Sequence, residues 1–368
     1  MTKAAELAKM GEVLTNSQIG GRRNILINGS QIVAQRATQV TGIGASGGYQ
    51  TVDRWTISAA NTAGRFTMDQ STDTPSGFAN STKLTCTTAD TSIAAGEILQ
   101  FQTKIEGQDL QSLKKGTSDA EKVTVSFYVK GNANATYTCE LHDRDNTRYN
   151  GQEFSVTTSW TRIILTFTGD TTGAFDNDNA VSMSLNFNLH GGSTYTGGTF
   201  SSNTWHTTAN QRFGDNQTSF FDSTDRTFFI TGLQMEVGSQ ATPFEHRSFG
   251  EELELCKRYY QSVGDRSNNH TLPLFDTAAQ DATDSTSTFH FFPPMRATPT
   301  LETTGTAADY KIYTNNTNIA LASVPSFGSG STQCGFLSAA VSSGLTAGEV
   351  CHVTGNTDPA FVAFTAEL

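Results

Sequence analysis

Between Val181 and Leu189 apolar and polar residues alternate without a break. Val181, Met183, Leu185, Phe187 and Leu189 are separated by Ser182, Ser184, Asn186 and Asn188. A period of two puts every apolar side chain on one side of an extended chain, so the segment reads as a strand with one apolar and one polar face. The pattern recurs in Val123, Val125, Phe127 and Val129, in Ile163, Leu165 and Phe167 behind Trp160, and in Thr231, Leu233, Met235 and Val237. Clusters of Gly, Asn and Asp, such as residues 169–179 and 191–198, lie between these runs, and no helical periodicity intervenes. Turn-linked, half-buried strands pair antiparallel and need a second layer over their apolar faces. Residues 24–247 are therefore expected to form a two-sheet sandwich, for which a jelly roll is the commonest solution at about 200 residues.

The composition agrees. Hydrophobic residues are 36% and charged residues 16% of the 368, leaving much of the chain to Gly, Thr, Ser, Asn and Gln. That balance argues against a helical bundle and a doubly wound α/β enzyme. It also differs from a disordered chain, because 24 Phe, 9 Tyr and 3 Trp can fill a core. A net charge of -11, with 24 basic against 35 acidic residues and no basic run, argues against a nucleic-acid partner. No stretch has the roughly 20 apolar residues of a bilayer span, and the opening residues lack a signal-peptide layout, so the expectation is a chain made in a cytoplasm without membrane insertion. Cys86, Cys139, Cys256, Cys334 and Cys351 are odd in number and never spaced C-x-x-C. They read as small buried hydrophobes rather than a disulfide framework or zinc site.

The flanks differ from the sandwich. Residues 1–23 place Ala4, Leu7, Ala8, Gly11 and Leu14 on one helical face. So short a helix is marginal alone, so it is expected to dock, either on its own domain or as an anchor to a larger assembly with Leu7, Met10 and Leu14 as anchoring residues. Pro243 to Arg247 leaves the sandwich, and Ser248 with Glu251 has the capping-box spacing that starts a helix. This joining helix, within residues 248–262, is expected to run from Phe249 to about Gln261, with Phe249, Leu253, Cys256 and Tyr260 in one stripe. Residues 263–368 are again β-rich, with candidate strands at Thr288–Phe292, Asp309–Tyr313, Gly335–Val341, Glu349–Val353 and Phe361–Ala366. The expected fold class is all-β: a jelly-roll sandwich plus a smaller C-terminal β-domain, with a short N-terminal helix and one joining helix. His246, between Glu245 and Arg247, reads as part of a charge cluster that fixes the joint through hydrogen bonds or binds a neighbouring subunit.

Several segments carry a family resemblance. AAELAKMGEVL, RRNILINGSQIVAQRAT (Arg22–Thr38), YQTVDRW (Tyr49–Trp55), ITGLQMEVGSQATPFEHRSFGEELELCKRYYQ (Ile230–Gln261) and FFPPMRATPT (Phe291–Thr300) together resemble tailed-bacteriophage virion proteins of marine and cyanobacterial phages, usually tail-fibre or receptor-binding proteins. VTVSFYVKG, SWTRIILTFTGDTTG and ITGLQMEVG also look like carbohydrate-binding-module jelly rolls. The resemblance covers most of residues 1–300, most specifically ITGLQMEVG through TPFEHRSFGEEL, and none of the last seventy or so. It implies a virion location, a homo-oligomer, usually a trimer, an N-terminal anchor, and as partners other tail or capsid proteins and host surface polysaccharide. Capsid decoration stays open beside the tail, because one sandwich serves both.

Motifs of chemistry are sparse. Gly44-Ala45-Ser46-Gly47-Gly48 matches G-x-S-x-G but lies in a Gly-rich loop with no helical pattern after it. Zincin, P-loop and dinucleotide motifs are missing. Glycan cleavage needs two carboxylates flanking a sugar, for which Asp143, Asp145, Glu153, Asp176, Asp178 and Asp222 are loop candidates without defined geometry. Asp143 to Asn146 and Asp176 to Asn179 offer oxygens to calcium but lack an EF-hand's Gly and terminal Glu. A structural calcium is raised only by the resemblance, and turn chemistry is the simpler account. No catalytic residue, metal ligand or cofactor is assigned. Glycan binding needs an aromatic face beside hydrogen-bonding side chains, and Tyr149, Tyr195, Trp205, His206 and Arg212 in loop-rich stretches are the candidates. Trp205 also has a plain alternative, packing a long loop on the sandwich, and Trp55 and Trp160 read as core. The expected function is a non-enzymatic virion structural protein, a tail-fibre component binding cell-surface glycan. Capsid decoration and glycan depolymerisation are the alternatives.

Overall fold

The alternating segments all extend, and their apolar sides meet. The computed structural model describes residues 3–4, 23–263, 273–357 and 360–368. Two compact units emerge: Met1–Ala34 with Thr38–Ser248, and Gln35–Ala37 with Phe249–Leu368.

The first unit is the jelly-roll sandwich. Its strands are β1 (Gln39–Ile43), β2 (Gly48–Tyr49), β3 (Thr56–Ala60), β4 (Arg65–Ser71), β5 (Ser81–Thr88), β6 (Ile98–Glu106), β7 (Val123–Gly131), β8 (Ala135–Asp143), β9 (Arg148–Val156), β10 (Thr161–Phe167), β11 (Val181–Gly191) and β12 (Thr227–Val237). A one-turn helix, α1 (Ser193–Thr196), follows β11. One sheet runs β1-β4-β5-β12-β7-β10 and the other β2-β3-β6-β11-β8-β9, with antiparallel pairing throughout. Val125, Phe127 and Val129 from β7 and Leu185, Phe187 and Leu189 from β11 are fully buried in the core. Trp55 stacks on Phe101 at 4.9 Å, and Phe127 meets Phe187 edge-on at 4.9 Å. Aromatic pairs in these geometries add to what area burial alone contributes.

The most specific family-like segments form one hydrogen-bonded knot in this unit. Asn24 Oδ1 accepts from the Leu26 and Met235 amides, and Asn24 Nδ2 donates to the Leu233 carbonyl. Glu245 accepts from the Asn24 amide at 2.7 Å, and Arg247 donates to the Asn24 and Leu26 carbonyls. The Gln234 side chain donates to Glu236 and accepts from the Glu245 amide. Asn28, at φ 56°, accepts from the Trp55 indole through its carbonyl and donates to the Val33 and Asp53 carbonyls. Glu245 and Arg247 thus hold the segment after β12 against the sandwich, while the His246 ring packs on Phe78 and Phe244.

The second unit has its own core. It contains α2 (Phe249–Lys257), β13 (Tyr260–Val263), β14 (Pro273–Ala279), β15 (Asp284–His290), β16 (Thr300–Thr303), β17 (Tyr310–Thr314), β18 (Thr317–Ala320), β19 (Ser326–Gly328), β20 (Cys334–Ala340), β21 (Val350–Gly355) and β22 (Val362–Thr365). A three-stranded sheet, β13-β22-β16, and a seven-stranded one, β18-β17-β21-β14-β15-β20-β19, bury Phe291, Tyr310, Val353 and Phe364. The joining helix is shorter than its apolar stripe predicts. It ends at Lys257, because the Tyr260 and Gln261 backbones pair with Thr365 and Phe364 in β22. Sheet pairing overrides the helical period there, and Phe249, at the head of the stripe, is 57% exposed. Of the expected N-terminal helix, Lys3 and Ala4 are described and helical, while Leu7, Met10 and Leu14 lie outside the described residues.

Candidate functional site

The polar face of β11 does not face water as its alternation predicts: Ser182, Ser184, Asn186, Asn188 and His190 are fully buried. Register across the sheet explains the arrangement. Reading from β6 through β11 and β8 to β9, three rungs run Gln100–Asn188–Thr138–Glu153, Gln102–Asn186–Glu140–Gly151 and Lys104–Ser184–His142–Tyr149. Each strand contributes alternate residues, so the face is polar across four strands.

Residues 192–226, including α1, cover much of this face by meeting its hydrogen-bonding groups. Arg212 Nε and NH2 each donate to Glu140 at 2.8 Å, a two-pronged ion pair. Asn186 Nδ2 donates to the same carboxylate at 2.7 Å. The Gly214 amide donates to Thr138, Gln217 Nε2 to the Asn188 carbonyl, and the Asn216 amide to Glu153. At the far end His190 lies between Glu97 at 2.9 Å and Ser219 at 2.8 Å. Gly151 completes the middle rung where a Cβ would stand 3.1 Å from the Phe200 ring and 3.4 Å from the Arg212 carbonyl oxygen.

Near the third rung aromatic rings gather over residues that are themselves buried, Ser184 fully and His142 and Tyr149 nearly so. Tyr149 and His206 exchange both backbone hydrogen bonds, at 2.8 and 3.0 Å, which adds one residue of pairing to the edge of β9. The Tyr149 ring lies 4.5 Å from the His142 ring and 5.8 Å from that of His206. The Arg212 guanidinium sits 4.5 Å from the Tyr149 ring and 5.7 Å from Tyr195, whose ring stacks on Phe213. Tyr149 is buried, while Tyr195 and His206 are half-buried. Arg144, just beyond β8, is exposed and donates to Ser184 Oγ at 3.3 Å and Gln102 Oε1 at 3.5 Å.

Burial sets the charge states. It pushes the His142 imidazole down to about 3, helped by the Arg144 and Arg212 charges and opposed by Glu140, so the ring is neutral at pH 7. Burial lowers His206 as well. For Glu140 burial favours the neutral acid, but the Arg212 charge and hydrogen bonds outweigh it and hold the carboxyl below its ordinary value. His142 Nδ1 and Asn186 Oδ1 are buried without a hydrogen-bond partner among the described residues.

Tyr149, Tyr195, His206 and Arg212 are thus brought together, and Trp205 is not. Its indole donates to the Thr168 carbonyl at 2.7 Å and its ring packs against the sandwich core, as the plain alternative for that loop expects. Trp160, expected in the core, is instead half-buried just before β10, with its indole bonded to Asp73 and its ring edge-on to Phe229. Trp55 is fully buried. Sequence reasoning overlooked Gln102, Glu140, His142 and Arg144. The signal was available in β8, where Thr138, Glu140 and His142 alternate with Cys139 and Leu141 as the polar set does in β11.

Of the acids expected in loops, Asp143 and Glu153 lie in β8 and β9 instead, because sheet pairing extends through them, and Asp176 is exposed. Asp143 is fully buried 2.6 Å from the Lys115 ammonium, which also lies 3.2 Å from Asp170 and donates to the Thr172 and Gly173 carbonyls. Asp145 accepts from the Asp176 amide, Glu153 from Asn216, Asp178 from the Ala180 amide, and Asp222 pairs with Arg226. Among the described residues no group of three or more His, Cys, Asp or Glu side chains could hold a metal ion. Ser46 lies in the β1–β2 connection, and no helix follows it. All five cysteines are free, and four are buried.

No protein-family model matches the chain, and no curated protein matches it. Among solved structures, a CBM4 structure is similar at 13% identity and a TM-score of 0.32, covering 57% of this chain and 97% of its own. A family 11 carbohydrate-binding module of a Clostridium thermocellum cellulosomal cellulase is similar at 12% identity and 0.27, covering 54% and 94%. The CBM22-1 xylan-binding domain from Paenibacillus barcinonensis is similar at 13% identity and 0.27, covering 57% and 100%. Likeness at these scores says nothing of what this chain binds.

Proposed function

We propose that this chain is a non-enzymatic glycan-binding protein of a bacteriophage particle, a tail-fibre or host-attachment component that holds host surface polysaccharide at the third-rung end of its polar sheet face. The observation that carries the glycan reading is the gathering of Tyr149, His142, His206 and Tyr195 around Arg212 and the polar rungs. A sugar offers C–H faces to aromatic rings and hydroxyls to amide, imidazole and guanidinium groups, and both kinds of partner meet here. Neutral imidazoles suit hydroxyls because each ring both donates and accepts. Contacts at one such site are weak, so attachment would draw on several copies in a homotrimer. The virion location rests on the family-like segments. The reading without catalysis is supported by Asp143, Asp145, Glu153, Asp178 and Asp222, whose carboxylates are taken up by an ion pair or by a backbone amide. A purely structural virion role, such as capsid decoration, draws on a separate observation: the most specific of those segments knot the sandwich together and supply none of the ring cluster.

The test is retention of the full-length protein on immobilised host polysaccharide, with Tyr195→Ala beside it and polymer viscosity followed in parallel. Retention that weakens roughly two- to tenfold in Tyr195→Ala, at constant viscosity, is expected from losing one aromatic contact. Falling viscosity would establish depolymerisation instead, and binding to capsids but to no polysaccharide would establish decoration.

A further inference from the structure

Arg144, like Arg65 and Arg162, has no acidic partner among the described residues, but those two donate to backbone carbonyls at 2.6–2.9 Å. Its neighbour Arg212 is satisfied by Glu140 on both prongs. Arg144 instead reaches two neutral acceptors at long range, 3.3 Å to Ser184 Oγ and 3.5 Å to Gln102 Oε1, and remains exposed. Those contacts draw its side chain across the rungs that hold His142 and Asn186, whose Nδ1 and Oδ1 are two of several buried side-chain atoms without partners. Asn186 is fully buried and His142 is 7% exposed.

We infer that this end of the face is a subsite for an acidic saccharide, a hexuronate whose carboxylate takes the Arg144 guanidinium while its ring lies toward Tyr149 and Tyr195. The inference rests on the glycan reading above and names the class of sugar. A guanidinium presents its donors in a planar fork that matches a carboxylate, as the Arg212–Glu140 pair already does on the same face. When Arg144 turns to a ligand it gives up two long hydrogen bonds to neutral acceptors, so little opposes the exchange. That movement also frees the rungs beneath it, where a sugar hydroxyl could meet Asn186 Oδ1 and His142 Nδ1.

Affinity electrophoresis of the full chain in gels containing polygalacturonate, or the same polymer methyl-esterified, tests this directly. Tighter binding to the free acid by about tenfold or more is expected from one charge-assisted hydrogen-bonded contact. Arg144→Gln, whose shorter amide can still reach hydrogen-bonding groups near Ser184 and Gln102, should abolish that preference while keeping residual binding to the ester. Equal binding to acid and ester, or a preference that survives Arg144→Gln, overturns the inference and leaves the glycan reading standing. Binding to neither polymer, with retention on a neutral host polysaccharide, also overturns the inference alone, whereas retention on no glycan at all overturns both.

Discussion

His142 and Asp143 are neighbours in β8 that face opposite ways, and burial acts on them differently. The imidazole responds by staying neutral, pushed down to about 3. Its folded value lies below the ordinary 6.5, so its contribution to stability is complete above that pH and is lost as the pH falls from about 6.5 toward 3. At pH 5 the loss is about 2 kcal/mol. Urea midpoints at pH 7 and pH 5, followed by tryptophan fluorescence, should differ accordingly, and His142→Gln should remove most of the difference. Asp143 instead keeps a buried partner in Lys115. Lys115→Met removes the ammonium and leaves the carboxylate buried without it, a change that costs about 3–5 kcal/mol. If the pair is what matters, Lys115→Met/Asp143→Leu should be less destabilised than the single variant in the same melts.

At the level of elements, β11 and its cover show how far local pattern reaches. The period of two was enough to identify the strand and its core-facing residues, since Leu185, Phe187 and Leu189 are buried where alternation puts them. The fate of the other side was not legible, because its partners lie far away in sequence: Arg212 meets Glu140 across 72 positions and Glu97 meets His190 across 93. Residues 192–226 carry little regular structure and are held down by those bonds. Arg212→Met should therefore loosen the cover, and limited proteolysis should show faster cleavage within residues 192–226 than in the parent chain. The ring cluster was legible only in part. Tyr149, Tyr195, His206 and Arg212 could be chosen from loop-rich sequence, and alternation in β8 marks Glu140 and His142 as a polar side, but only the register places them and Gln102 beside those residues. In the opposite sheet the β12 bulge depends on Gly232, at φ 63° with a Cβ position 2.7 Å from the Phe78 ring. Gly232→Ala should lower stability by at least about 1 kcal/mol in denaturant melts.

For the whole molecule, the two units have separate cores, one centred on Trp55, Phe101, Phe127 and Phe187 and the other on Phe291, Tyr310, Val353 and Phe364. All three tryptophans belong to the first unit. Heating is therefore expected to give a far-ultraviolet circular dichroism transition without a counterpart in tryptophan fluorescence, as the second unit unfolds by its own core. Coincident curves from both probes would mean that the units unfold as one. The family-like segments also take on meaning at this scale. Asn24, Gln234, Glu245 and Arg247 lie far apart in sequence and share one network, so their role here is architectural.

The amino-acid sequence by itself determined which segments extend, which of their residues form the core and how polar the remainder must be, because alternation and turn chemistry act over a few neighbouring residues. Tertiary structure alone decided that the polar side of β11 is covered, that Arg212 is paired while Arg144 is not, and that Tyr260 joins a strand instead of a helix. Each of those outcomes depends on a pairing between residues distant in the chain, and long-range register leaves no signature in any local window.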